Sequence, residues 1–320
     1  MRLLKEIYTP NSILEKTNQY IPISIGKRSR FATCTAVCWL TSDIIASLNL
    51  YGNSIVTYCY NPVKNDFTIL QEITNEDGAR LSMSEHMSIS PCGKLIAVCS
   101  APPLSNPTPK SCVNIYRFLN NKINPIPVFS VEEEHLIHNV RFTPNGKYLS
   151  YTTYQDERAI ITCKIDDHIS NFKLLSHEVK NNIFFPMKPK CLNFTKDGNF
   201  LIVAYCIGLV NFTGEISSCL VCYKLNENGH IGEMVSKLYQ NRGMEDIVFS
   251  PDNDYFFVSD QANDIILKYA FNNLTGEICY MDRFNPEEAI SFPHGMSISK
   301  DGKHLAVANY GDDKFNLYEI

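Results

Sequence analysis

Five ionisable residues occupy matching places in a repeating sequence: Glu85, His138, Lys190, Glu245 and His294, at steps of 53, 52, 55 and 49 residues. Each precedes by eight positions a turn residue, Gly93, Gly146, Gly198, Asn253 or Gly302. A further copy, which aligns less well, puts Thr35 at the same place. Brought together, two carboxylates and two imidazoles could tune one another's pKa and act as general acid and base toward a water molecule. The Lys190 ammonium would then stabilise an oxyanion. The two His with one Glu also make a donor set for a divalent metal such as zinc or manganese, although Lys190 beside the ion would be repelled. A plainer reading stands next to these: polar side chains at strand ends around a wet channel are solvated there and need no chemistry.

The elements that must position these residues are β-strands. One unit recurs, an apolar alternating strand, a tight turn and a second strand, as in Met87 to Val98 and Val140 to Leu149, then from Leu192, Ile247 and Met296. Gly or Asn at the turn supplies the positive φ that a short hairpin wants. Val37 to Ala46 reads as a degraded earlier copy. The spacing leaves room for four strands per unit. The last unit ends at Ile320 with only three, while Arg2 to Ile7 reads like Thr68 to Ile73, the fourth strand of the first unit. The sequence therefore predicts an all-β fold: a six-bladed β-propeller of four-stranded antiparallel blades, residues 1–320 as one domain, with the N-terminal strand closing the last blade. In such a ring Glu85 faces Glu245 and His138 faces His294. Asp260, Asn309 and Asp312 follow second strands and border the same mouth as candidate ligand-binding residues; they are also ordinary turn formers.

A formal net charge of -5 argues against nucleic acid as a partner, because a surface that tracks phosphates needs clustered Lys and Arg. The N-terminus turns charged at once, so no signal peptide is expected. The most apolar stretch, Phe200 to Phe212, includes Gly208 and Asn211 and is too short to span a bilayer. Twelve cysteines scattered through apolar strands read as reduced core residues of a cytoplasmic protein. Cys219 and Cys222 spell CxxC, but three residues apart in a strand they point to opposite faces. Glu132, Glu133 and Glu134 read as a solvated loop.

Three stretches carry a family likeness: Pro293-His294-Gly295-Met296-Ser297-Ile298-Ser299-Lys300-Asp301-Gly302, Ala308-Asn309-Tyr310-Gly311-Asp312 and Asn273-Leu274-Thr275-Gly276-Glu277-Ile278. They resemble repeats of the lactonase-like propellers, the 6-phosphogluconolactonase-like and, more distantly, the gluconolactonase-like proteins. The resemblance implies a propeller, a His at the place of His294, and hydrolysis of a sugar lactone or small ester at the channel mouth. It departs in two respects. The phosphogluconolactonase-like members have seven blades where six are counted, and the calcium ligands of the six-bladed relatives are not reproduced. The alternative is a non-enzymatic platform of the WD-repeat kind that binds a protein rather than a small polar molecule.

Overall fold

The computed structural model describes residues 1–16, 33–101, 110–154, 159–166, 173–180, 184, 186–207, 217–226 and 230–320. Its strands form six antiparallel sheets. In chain order the innermost strands of blades 1 to 6 are Cys34–Trp39, Ser84–Ile89, Ile137–Phe142, Lys188–Phe194, Met244–Phe249 and Pro293–Ile298. Each packs against the innermost strands of the blades on either side, and the last packs against the first, so the ring is closed.

Alternation along the strands builds the core. Successive side chains point to opposite faces of a blade, and both faces are covered by neighbouring blades. Apolar residues therefore gather into six clusters, one at each junction. Ile45 packs toward blade 6 and Ala46 toward blade 2. The CxxC pair divides in the same way, Cys219 toward blade 3 and Cys222 toward blade 5. All twelve cysteines are free.

The turns follow the repeat: Gly93, Gly146, Gly198, Asn253 and Gly302 all have positive φ, between 64° and 75°. Blade 1 makes a shorter turn without one, and there the Thr41 hydroxyl accepts the Ile44 N–H at 2.9 Å. The closing strand Arg2–Tyr8 pairs antiparallel with Lys314–Glu319 in blade 6. Arg2 meets Glu319 at 2.6 Å and Lys314 meets Glu6 at 2.5 Å across that seam. Two local expectations fail. Asn120 and Asn121, both at positive φ, turn the chain into a short extra strand, Lys122–Ile123, in blade 2. Glu133 ends a strand and is buried, with the Tyr151 hydroxyl donating to it at 3.4 Å, rather than lying in a solvated loop. The apolar run from Phe200 is a strand to Cys206, and Gly208 to Phe212 lie outside the described residues. Among the described residues no helix is long and apolar enough to cross a membrane.

Candidate functional site

Every innermost strand breaks its pairing at the same place. The ladder to the second strand skips Thr35, Glu85, His138 and Lys190 in blades 1 to 4, Glu245 with Asp246 in blade 5, and His294 with Gly295 in blade 6. These are β-bulges, which leave a residue unpaired and re-aim its side chain. Here they turn the skipped residues into the channel. Neighbouring blades satisfy the released carbonyls: Thr152 donates to Lys190 O at 2.9 Å and Ser259 to His294 O at 2.7 Å. Gly295 is required by close approach, since a Cβ there would lie 2.8 Å from Thr35 O and from the Ala36 Cα of blade 1.

The structure brings Glu85, His138, Lys190, Glu245 and His294 into one cluster. Lys190 Nζ donates to Glu245 Oε1 at 2.5 Å. The other oxygen, Oε2, lies 3.4 Å from His138 Nε2 and 3.5 Å from His294 Nε2. His294 Nε2 is also 3.6 Å from Glu85 Oε2. The two imidazoles lie face to face across the channel, 5.5 Å between centroids and tilted by 32°. Lys190 is thus committed to a carboxylate instead of facing a ligand, and it holds Glu245 in place. The cluster is packed rather than bathed in water: Glu245 is 0% exposed in its side chain, whereas Glu85, at 15%, is its most accessible acid. A cavity of about 500 Å³ lies at the opposite end of the channel, among the turns, with Leu40, Pro91, Pro144 and Pro251 in its wall.

Burial dominates the electrostatics. It raises the Glu85 carboxyl to about 8, helped by the neighbouring charge of Glu245. It raises Glu245 to about 7, although Lys190 pulls the other way. Burial followed by the Lys190 charge lowers His294 to about 3 and puts His138 well below the usual range. Burial would also neutralise Lys190, but Glu245 more than offsets it and its pKa is raised. The imidazoles are therefore neutral near pH 7, with Nε2 directed toward the carboxylates.

The remaining candidates bind their own surroundings. Thr35 sits in the ring, but its hydroxyl donates to Ser84 O in blade 2 at 2.8 Å. Asp260 accepts the Gly243 N–H at 3.0 Å and the Asn263 amide at 2.8 Å. Asn309 accepts the Ser291 N–H at 3.0 Å, and Asp312 lies 3.5 Å from Lys314. Two tyrosines were not legible. Tyr310 stacks on His294 at 5.5 Å between centroids, and its hydroxyl faces that of Tyr51 next to Glu85. Tyr310 follows the Asn309 considered above, but no spacing rule singles it out.

A second charged group lies one residue further along. Asp246 Oδ1 accepts Arg141 Nη2 at 2.7 Å and the Ile247 N–H at 2.8 Å. Its Oδ2 accepts the Met296 N–H at 2.8 Å and lies 3.4 Å from His86 Nε2. Burial alone would raise Asp246, yet Arg141 and His86 hold it well below the usual carboxylate range. The bulges explain this layer too: an unpaired residue breaks the strict alternation, so neighbours such as Glu245 and Asp246 both reach the channel.

Comparison with known proteins agrees with this architecture. The family described as "Lactonase, 7-bladed beta-propeller" matches residues 132–320, more than half of the chain. No curated protein matches the sequence. Among solved structures, the periplasmic gluconolactonase PpgL of Pseudomonas aeruginosa superposes with a TM-score of 0.64 at 14% identity, covering 93% of this chain and 84% of that one. A candidate 6-phosphogluconolactonase of Bacteroides uniformis gives 0.61 at 13% identity, covering 92% and 82%. The Cps50 (Swd1) propeller domain of Myceliophteria thermophila gives 0.59 at 10% identity, covering 90% and 97%. At such identities these structures share the fold, and they include both lactonases and a propeller of another kind. The chain belongs to the lactonase propeller family, whose described form has seven blades, and it builds its ring from six.

Proposed function

We propose that the channel cluster hydrolyses a lactone, with a sugar lactone of the gluconolactone type as the first substrate class. One observation carries this reading: two carboxylates and two neutral imidazoles from four different blades converge on one point, in a chain of the lactonase family. Hydrolysis requires water to attack the carbonyl carbon, the ring C–O bond to break and the departing alkoxide to gain a proton. Glu85, ionised as the pH approaches its raised pKa of about 8, takes the proton from water and returns it to the alkoxide in this reading, because it is the most accessible acid of the cluster and lies beside His294. Tyr310 and Tyr51 border that side with hydroxyls that can hold a polyol. A small polar molecule is thus the proposed partner, and the free cysteines support a reducing, cytoplasmic setting.

The test is a pH-stat assay of purified protein on gluconolactone, its 6-phosphate and simple aliphatic lactones, corrected for spontaneous opening. Turnover of at least one lactone that is lost in Glu85→Gln supports the reading. A folded protein with no turnover on the whole panel overturns it in favour of a non-enzymatic protein-binding platform.

A further inference from the structure

Donor atoms meet in the channel at separations that hydrogen bonding does not account for. Glu245 Oε2 lies 3.4 and 3.5 Å from the Nε2 atoms of His138 and His294, beyond the usual 2.7–3.2 Å of an N–H···O bond. Glu245 Oε2 is fully buried and has no hydrogen-bond partner. Leaving a carboxylate oxygen in that state is unfavourable unless something else occupies its lone pairs. The separations themselves suggest what does. Donors bound at about 2.0–2.2 Å around a tetrahedral ion lie about 3.3–3.6 Å from one another.

We propose that His138, His294 and Glu245 bind a divalent transition-metal ion of the zinc type, with a fourth position open toward Glu85. Two neutral imidazoles and one carboxylate suit zinc, whereas calcium and magnesium call for oxygen donors alone. Lys190 does not stand against the ion. It occupies Oε1, so the carboxylate lies between ammonium and metal, and it acts as a positioning residue that aims Oε2 at the imidazoles. A carboxylate oxygen of Glu85 and one ring nitrogen of each imidazole lie within 4.8 Å of one another; a water in the fourth position is the proposed occupant, bordered by Glu85. Its partial exposure gives that position contact with solvent. Binding of the ion stands whether or not the ring opens lactones. Only the role of the bound water, acidified by the metal and deprotonated by Glu85, rests on the lactone reading.

Cysteines could capture zinc adventitiously, so the test uses the full chain with its two exposed thiols removed, Cys92→Ser and Cys279→Ser. After washing with a chelator, zinc chloride is titrated by calorimetry, and cobalt(II) is added separately to report ligand type by absorption. The expected result is one ion per chain, a four-coordinate cobalt spectrum with nitrogen and oxygen ligands, and affinity lowered by about 100-fold or more in His138→Gln and His294→Gln. Glu85→Gln should keep the ion while losing lactone turnover, which separates failure of the metal site from failure of the hydrolytic reading. The proposal is overturned if the folded parent takes up neither ion, if cobalt shows thiolate ligation, or if the His variants bind as tightly as the parent. Should one His variant fail to fold, the other and the parent's cobalt spectrum still decide.

Discussion

Two charged layers are stacked in this channel, one residue apart along the same strands, and their central carboxylates differ in how completely they are satisfied. In the layer around Asp246, one buried carboxylate accepts from Arg141, Met296 and Ile247 at 2.7–2.8 Å and lies near His86. Three blades are tied to blade 5 through that side chain. In the layer around Glu245, one oxygen takes Lys190 while the other faces two imidazoles at 3.4–3.5 Å with no hydrogen bond. Burial is alike in both; saturation is not. A saturated buried charge is a tie between elements, and an unsaturated one is a place where something else can bind.

The largest test removes the support of both layers. Deleting residues 1–9 strips the outer strand from blade 6 and exposes the edge of Lys314–Glu319, so the protein should aggregate or lose its cooperative melt. Size-exclusion chromatography and a thermal melt check this; a monomer with unchanged Tm would mean that the seam is dispensable.

Breaking only the saturated layer comes next. Asp246→Ala leaves Arg141 and His86 without their buried partner and should cost about 3–5 kcal/mol in denaturant unfolding. A loss below about 1 kcal/mol would show that Asp246 is no more of a tie than a surface pair.

Glu85→Gln probes the unsaturated layer. Its side chain is only partly buried, so stability should change by no more than about 1 kcal/mol. Lactone turnover should nevertheless fall by about 10²–10⁴-fold if Glu85 handles the proton. Equal effects on stability and turnover would erase the distinction between the layers.

The smallest effect concerns the bulges. Thr152→Val removes the hydroxyl that satisfies Lys190 O and should cost about 1 kcal/mol in denaturant unfolding. No change at all would mean that the bulge in blade 4 holds itself.

Much of this was legible beforehand. Equal offsets from the turns located Glu85, His138, Lys190, Glu245 and His294, and the ring order placed His138 opposite His294, because repeats with one geometry must put equal positions in equal places. The reason for their inward aim was not legible. It was expected from strict alternation, whereas bulges supply it, and a bulge depends on how the second strand and the next blade accept an extra residue. For the same reason the Asp246 layer went unseen: alternation would have turned Asp246 and His86 away from the channel. Thr35 was placed correctly in the ring, yet which way its hydroxyl turns depends on the Ser84 carbonyl of another blade.

Apart from the extra strand Lys122–Ile123 and the strand that ends at Glu133, the sequence by itself determined the strands, most of their turns, the number of blades and the pairing of its two ends, since periodicity, turn residues and the likeness of Arg2–Ile7 to Thr68–Ile73 are local properties of the chain. Only the tertiary structure decided which charges are saturated. Lys190 and Glu245 are 55 residues apart and Arg141 and Asp246 are 105, and both pairs form because ring closure brings their strands to one axis. Whether a buried charge is neutralised or left open depends on distances of a few tenths of an ångström across that axis, and those distances follow from how six blades pack against one another.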